Sequence, residues 1–60
     1  MEFWIARDGC GTLTLFRGRP HRLANVWVEE KYDLMILDRE LFPEITWDNS
    51  PVMFNLTKIT

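Results

Sequence analysis

Sixty residues and 7.2 kDa allow one small domain. Seven basic against nine acidic side chains exclude a generically basic nucleic-acid coat, and 47% apolar content excludes a disordered chain. One cysteine and one histidine cannot supply an internal disulfide or fill a tetrahedral zinc site.

The chain opens on Phe3–Arg7, rich in aromatic and aliphatic residues, and meets Asp8-Gly9-Cys10-Gly11. Asp-Gly supplies the positive φ angles of a tight turn, and the second glycine suits the left-handed position of a slightly longer loop. Thr12-Leu13-Thr14-Leu15 then alternates as a half-buried strand does. A hairpin over about residues 2–17 follows. Pro20 lacks an N–H and biases Arg19 toward extended geometry, so the second strand ends by Arg17 or Gly18. Residues 24–28, Ala-Asn-Val-Trp-Val, read as a third strand.

Residues 32–42 admit two readings. Leu34, Leu37 and Leu41 fall at helical spacing, and 29–42 is made largely of good helix formers, so a 13-residue helix fits. The preferred reading is a strand at 33–37 followed by one helical turn near 38–42, with Asp38 as its N-cap and Pro43 as its stop. Ile45-Thr46-Trp47 reads as extended and Asp48-Asn49-Ser50-Pro51 as a turn. A last strand, 52–56, carries Val52, Phe54 and Leu56 on one face. The fold expected is mainly β, a β-rich α+β domain: one antiparallel sheet of four or five strands with one short helical turn. Three tryptophans and four phenylalanines supply much of its burial, since each aromatic covers roughly 150–250 Å² in a core.

The beginning of the chain carries no basic n-region, no apolar stretch of signal-peptide length and no small-residue cleavage site. Its longest apolar run is Leu34-Met35-Ile36-Leu37, against the ~20 residues of a spanning helix. A cytoplasmic location without membrane association is the expectation, and a lone Cys10 suits a reducing compartment.

Two stretches carry a resemblance. Phe3-Trp4-Ile5-Ala6-Arg7-Asp8 with Gly11, Leu13, Leu15, Phe16 and Gly18-x-Pro20 forms the first. Leu41-Phe42-Pro43-Glu44-Ile45-Thr46-Trp47-Asp48 with Pro51 forms the second. Together they resemble short uncharacterised proteins of gut bacteria and their mobile elements. The resemblance fades between Arg22 and Lys31. It implies one autonomous domain of bacterial or phage origin, and it transfers no catalytic or binding residue.

Catalytic sets are sparse. Cys10 lies between two glycines and His21 follows a proline, which places both on exposed loops as a tolerated thiol and a surface imidazole. A small sheet has little room for a substrate cleft of the usual ~300–1,000 Å³. Gly9-Cys10-Gly11 opens a strand rather than a helix and lacks the third glycine of a phosphate loop. Asp33, Asp38, Glu40, Glu44 and Asp48 match no EF-hand spacing and read as surface, turn and cap residues. The chain is therefore expected to be no enzyme and to carry no cofactor, metal or small-molecule substrate.

Phe16-Arg17-Gly18-Arg19-Pro20-His21-Arg22 is the densest functional signal. Its arginines suit bidentate phosphate or carboxylate contacts, and Phe16 or Trp4 suits base stacking. Residues 1–31 carry five basic and four acidic groups, residues 32–60 two basic and five acidic, so the two halves differ in sign. Two partners fit such a dipole: a protein recognised by charge complementarity, or nucleic acid held on the arginine hook. Pairing of the arginines with the acidic half is the plain structural alternative. A small sheet covered by one helical turn also leaves some of Trp4, Phe16, Trp27 and Trp47 open, and tryptophan and arginine are enriched at interface hot spots. The expected function is a non-catalytic protein-interaction module, an adaptor, regulator or inhibitor, contacting a protein or a second copy through Trp4, Phe16, Arg17, Arg19, Arg22 and Trp27. Nucleic-acid binding through the hook is the alternative.

Overall fold

A computed structural model describes residues 1–29 and 34–57. Six strands form two antiparallel sheets: β1 (Glu2–Arg7), β2 (Leu13–Phe16), β3 (His21–Leu23), β4 (Val26–Val28), β5 (Leu34–Leu37) and β6 (Val52–Asn55). The larger sheet has the order β5-β2-β1-β6, and β3 pairs only with β4. The domain is mainly β, and no helix occurs among the described residues.

The first hairpin forms as its sequence dictates. Trp4 pairs with Phe16 and Arg7 with Leu13, and the loop between them closes through Asp8 N–H to Thr12 O at 2.8 Å and Gly11 N–H to Asp8 O at 3.0 Å. Gly11 has φ +100°, and a Cβ there would collide with the Arg39 guanidinium. The positive φ is what requires glycine here, since the exposed Arg39 side chain could move aside.

Register assigns every side chain of the sheet to a face. Phe3, Ile5 and Arg7 share the first face with Leu13, Leu15, Met35, Leu37, Val52 and Phe54. Trp4 and Ala6 share the second with Thr14, Phe16, Leu34, Ile36 and Met53. Each face has its own core. Ile5, Leu13 and Ile45 are buried on the first, flanked by Phe42, Phe54 and Phe3, with Phe3 stacked on Phe54 at 5.5 Å. Ala6, Phe16 and Trp27 are buried on the second, flanked by Trp4 and Trp47. Full burial of a side chain the size of Ile5 or Phe16 contributes roughly 1.5–3 kcal/mol, so a handful of such residues carries much of the stability.

The second core exists because the third strand of the sequence reading leaves the sheet. Residues 24–28 were expected as one strand beside the others. Instead Ala24 and Asn25 form the tip of a β3–β4 hairpin, with Leu23 opposite Val26. Asp8 and Gly9 hold that hairpin down on the second face: Trp27 N–H donates to Asp8 Oδ1 at 2.9 Å and Gly9 N–H to Asn25 O at 2.8 Å. A Cβ on Gly9 would stand 3.1 Å from Asn25 Cβ, closer than ordinary packing. The hairpin thus covers the second face, the task that one helical turn could not perform.

Ala24 has φ +55°. Positive φ at the first central residue alone is the pattern of a II′ hairpin turn, which ordinarily places glycine there. An alanine held at positive φ costs roughly 1–3 kcal/mol.

The strand reading of 33–37 prevails over the long helix at the described positions. Leu34–Leu37 is β5, with Thr14 opposite Ile36, and Asp33 lies outside the described residues. The helical turn expected near 38–42 is a single β-turn, closed by Leu41 N–H to Asp38 O at 3.0 Å. Asp38 Oδ1 accepts the Glu40 N–H at 2.9 Å, an Asx-turn bond rather than the cap of a helix. The chain then departs from helical geometry at Phe42, whose φ is +47°. Ile45-Thr46-Trp47, expected as extended, instead joins two turns. Ile45 N–H bonds Phe42 O, Ser50 N–H bonds Thr46 O, and Thr46 and Asn49 exchange backbone-to-side-chain bonds. The Ser50–Pro51 peptide bond is cis.

Segment 38–51 contributes Ile45 to the first core and Trp47 to the second core, so it passes round the end of β1. Arg7 organises that passage. Its Nε donates to Ile45 O, its Nη1 to Gly11 O and Arg39 O, and its Nη2 to Leu41 O and Phe42 O, at 2.5–3.1 Å. All five guanidinium N–H groups are committed to backbone carbonyls. Arg7 N–H itself donates to Ser50 Oγ at 2.9 Å.

Arg7→Lys keeps the charge but offers three donors on a compact head, and is expected to cost about 2–3 kcal/mol. A 60-residue domain has only about 3–9 kcal/mol in total, so urea titration should show a large drop in midpoint. An unfolding free energy within about 0.5 kcal/mol of wild type would mean that water replaces the guanidinium without loss. Ala24→Gly acts in the opposite direction. Relief of the positive φ outweighs the added freedom of the unfolded chain, and the melting temperature should rise by about 2–6 °C.

Candidate protein-interaction surface

The arginine hook divides between a connector and a strand. Arg17, Gly18, Arg19 and Pro20 join β2 to β3, while His21 and Arg22 belong to β3. Arg17, Arg19, His21 and Arg22 are exposed and Pro20 is buried, which fixes the connector against the domain.

Two of the three arginines lie on tryptophan rings. Arg19 Cζ stands 5.2 Å from the Trp4 ring centroid. Arg22 pairs across the hairpin with Trp27, and its Cζ is 5.0 Å from that ring and 4.2 Å from the ring of Trp47. Its Nη2 also donates to Trp47 O at 2.7 Å. A guanidinium facing two rings gains cation–π attraction at each, about 0.5–1 kcal/mol for exposed groups. Arg22 therefore binds the β3–β4 hairpin to the 47–49 turn, and its aromatic partners belong to the fold.

Phe16 is 1% exposed and sits in the second core, so its ring offers no face to a base. Trp27 is buried as well, tilted against Trp47 at 5.6 Å, with its indole N–H bonded to Arg7 O. Of the aromatic residues expected at a surface, Trp4 and Trp47 are half-buried and the other two are interior.

Register places Trp4 between Phe16 on one side and Met53 on the other, and Phe16 beside Leu34. The row Leu34–Phe16–Trp4–Met53 crosses the whole second face. Its two ends are open, with Leu34 51% and Met53 48% exposed. Met53 carried no functional signal in sequence, although the alternation of Val52–Asn55 does set it opposite Phe54. The candidate surface is thus Trp4 under Arg19, bordered by Met53, with Arg17 on the adjoining connector.

Cys10 is an exposed free thiol, and its Sγ lies 3.4 Å from Thr12 Oγ1. Hydrogen bonding from the Thr12 hydroxyl, and next from the Thr12 backbone, holds the thiol pKa below its ordinary value, with Asp8 opposing through its charge. His21 lies in β3 opposite Val28, and no hydrogen bond joins it to Cys10 among the described residues. The described residues contain no detected cavity and no cluster of three or more His, Cys, Asp or Glu able to hold a metal. No helix among them is long and apolar enough to cross a membrane.

The fold and this surface define a small two-layer antiparallel β domain. No protein-family model matches the chain, and no curated protein or solved structure shows significant similarity to it.

Because the pKa of Cys10 is lowered by folding, its thiolate forms at lower pH in the native protein than in the unfolded chain. The pH profile of iodoacetamide alkylation should shift downward on folding. Thr12→Val should return it toward the profile of the urea-unfolded chain. Superimposable profiles for wild type and Thr12→Val would remove Thr12 as the cause.

Proposed function

We propose that this domain is a non-catalytic protein-interaction module of bacterial or mobile-element origin, working as an adaptor, regulator or inhibitor. The observation that carries this reading is the second-face row, where Trp4 lies half-buried beneath Arg19 and beside the open Met53. An amphipathic aromatic, an arginine and an exposed methionine form the combination that protein interfaces favour. The arginine has its ring partner in place before any partner arrives, so less rotamer freedom is lost on binding.

Nucleic-acid binding rests on the exposed Arg17, Arg19, His21 and Arg22. Burial of Phe16 weakens it by removing one of its two stacking platforms. The chain also has an excess of acidic groups, which opposes the electrostatic attraction on which non-specific binding depends.

Affinity capture from bacterial lysate, with and without nuclease, separates the two. A protein partner should persist through nuclease treatment and be lost from Arg19→Glu and Met53→Lys. Both changes leave the buried residues in place. A hot-spot contribution predicts at least a ~10-fold loss of affinity for the partner so identified. Equal capture by wild type and both variants would overturn the surface, and capture abolished by nuclease would favour the arginine hook.

A further inference from the structure

We infer that β5 pairs antiparallel with β5 of a second copy, extending the four-stranded sheet across a two-fold axis into one of eight strands. The surface involved is the sheet edge rather than the second face, so the inference stands apart from the reading above.

β5 is an edge strand, joined only to β2, and its sequence Leu-Met-Ile-Leu contains no charge, proline or glycine. Edge strands of soluble proteins are ordinarily blunted by such residues or covered. Here Leu34 is 51%, Met35 61% and Ile36 69% exposed. Among the described residues, no strand pairs with the outer edge of β5. Both pleat directions of β5 are therefore open at once, and no described strand bonds its outward backbone groups.

A second copy fits this edge by symmetry. A two-fold axis normal to the sheet makes the two β5 strands antiparallel, as every other pair in the sheet is, and keeps each face on its own side. With Met35 opposite Met35 of the other copy, Leu34 of each copy lies opposite Ile36 of the other. Every exposed apolar side chain of the strand gains an apolar neighbour. The pairing is isologous and closes at two copies. Pairing of β5 with the opposite edge, β6, would leave a free edge at each end and grow without limit. β6 is also chemically unlike β5, with Asn55 within it and Pro51 immediately before it.

The area sets the strength. Leu34, Met35 and Ile36 of two copies, with the strand backbones, bring together less than the ~1,200 Å² of a standard stable interface. An interface of that size belongs to the weak, transient class, populated in concentrated solution and dissociated in dilute, over a range of roughly micromolar to millimolar. Within it the two second faces lie on the same side of one continuous sheet, each with its own Trp4 and Arg19.

Sedimentation velocity of the full chain between about 1 μM and about 1 mM brackets this range. The mass should rise from 7.2 kDa toward twice that value and stop there. Ile36→Lys and Met35→Lys, on opposite faces of β5, should each hold the protein at the mass of one chain throughout. Both side chains are mostly exposed, and near-ultraviolet circular dichroism checks that each variant is folded. Hydrogen exchange of the wild type should slow at the outward-pointing amides of 34–37 as concentration rises. One-chain mass at the highest concentration, growth beyond two copies, or a dimer unaffected by a folded variant would each overturn the inference.

Discussion

The Arg7 guanidinium is the constraint on which the remaining architecture depends. Segment 38–51 has neither a helix nor a sheet ladder to absorb its carbonyl groups, and the four it directs at one point are what such a segment would otherwise leave to water. Arg7 supplies five donors in a fixed planar fork, and its acceptors span the first loop, the 38–41 turn and the turn around Pro43. With that segment held, Ile45 closes the first core and Trp47 reaches the second. The charge of Arg7 is solvated by peptide dipoles rather than by a carboxylate, which makes the arrangement sensitive to donor geometry and less so to ionic strength.

A second constraint is the division of burial between two faces. A 60-residue chain covers only one face of a sheet if all its strands lie in that sheet. The hairpin over the second face requires Asp8 and Gly9 to serve both the loop they close and the hairpin they receive. Gly9 admits Asn25 at close range, and Asp8 Oδ1 replaces a ladder partner for the Trp27 N–H. Arg22 completes the closure from outside by lying on Trp27 and Trp47. Among the described residues its partners are two aromatic faces and the Trp47 carbonyl.

Local chemistry made the first hairpin, β5 and β6 legible in the sequence, because Asp-Gly, strict alternation and Pro51 each state a geometry within a few residues. The separation into two sheets was not legible. Nothing in Ala24–Val28 distinguishes a strand that joins the main sheet from one that folds over it. The decisive contacts, Asp8 with Trp27 and Gly9 with Asn25, link positions far apart in the chain. The basic character of the hook is legible in the sequence, but the tryptophan rings on which Arg19 and Arg22 lie are not. Phe16 was assigned to the surface because the hairpin that buries it had not been recognised. Arg7 looked like an ordinary polar strand end. Phe42 is the opposite case: a bulky residue at positive φ, which no local rule favours, with its ring in the first core and its carbonyl bonded by Arg7 and Ile45.

The two cores share one pleated layer, and this makes the chain a poor host for changes in length. Within β1 adjacent residues serve opposite interiors: Ile5 one, Ala6 the other, and Arg7 the carbonyl cluster. One residue inserted or deleted there exchanges the occupants of both interiors at once and turns the guanidinium away from its carbonyls. Substitution can be absorbed position by position, but a frame change in this strand is felt on both sides of the sheet together. Divergence in such a domain should thus proceed by replacement in the strands, with gain and loss of residues confined to stretches outside the ladder.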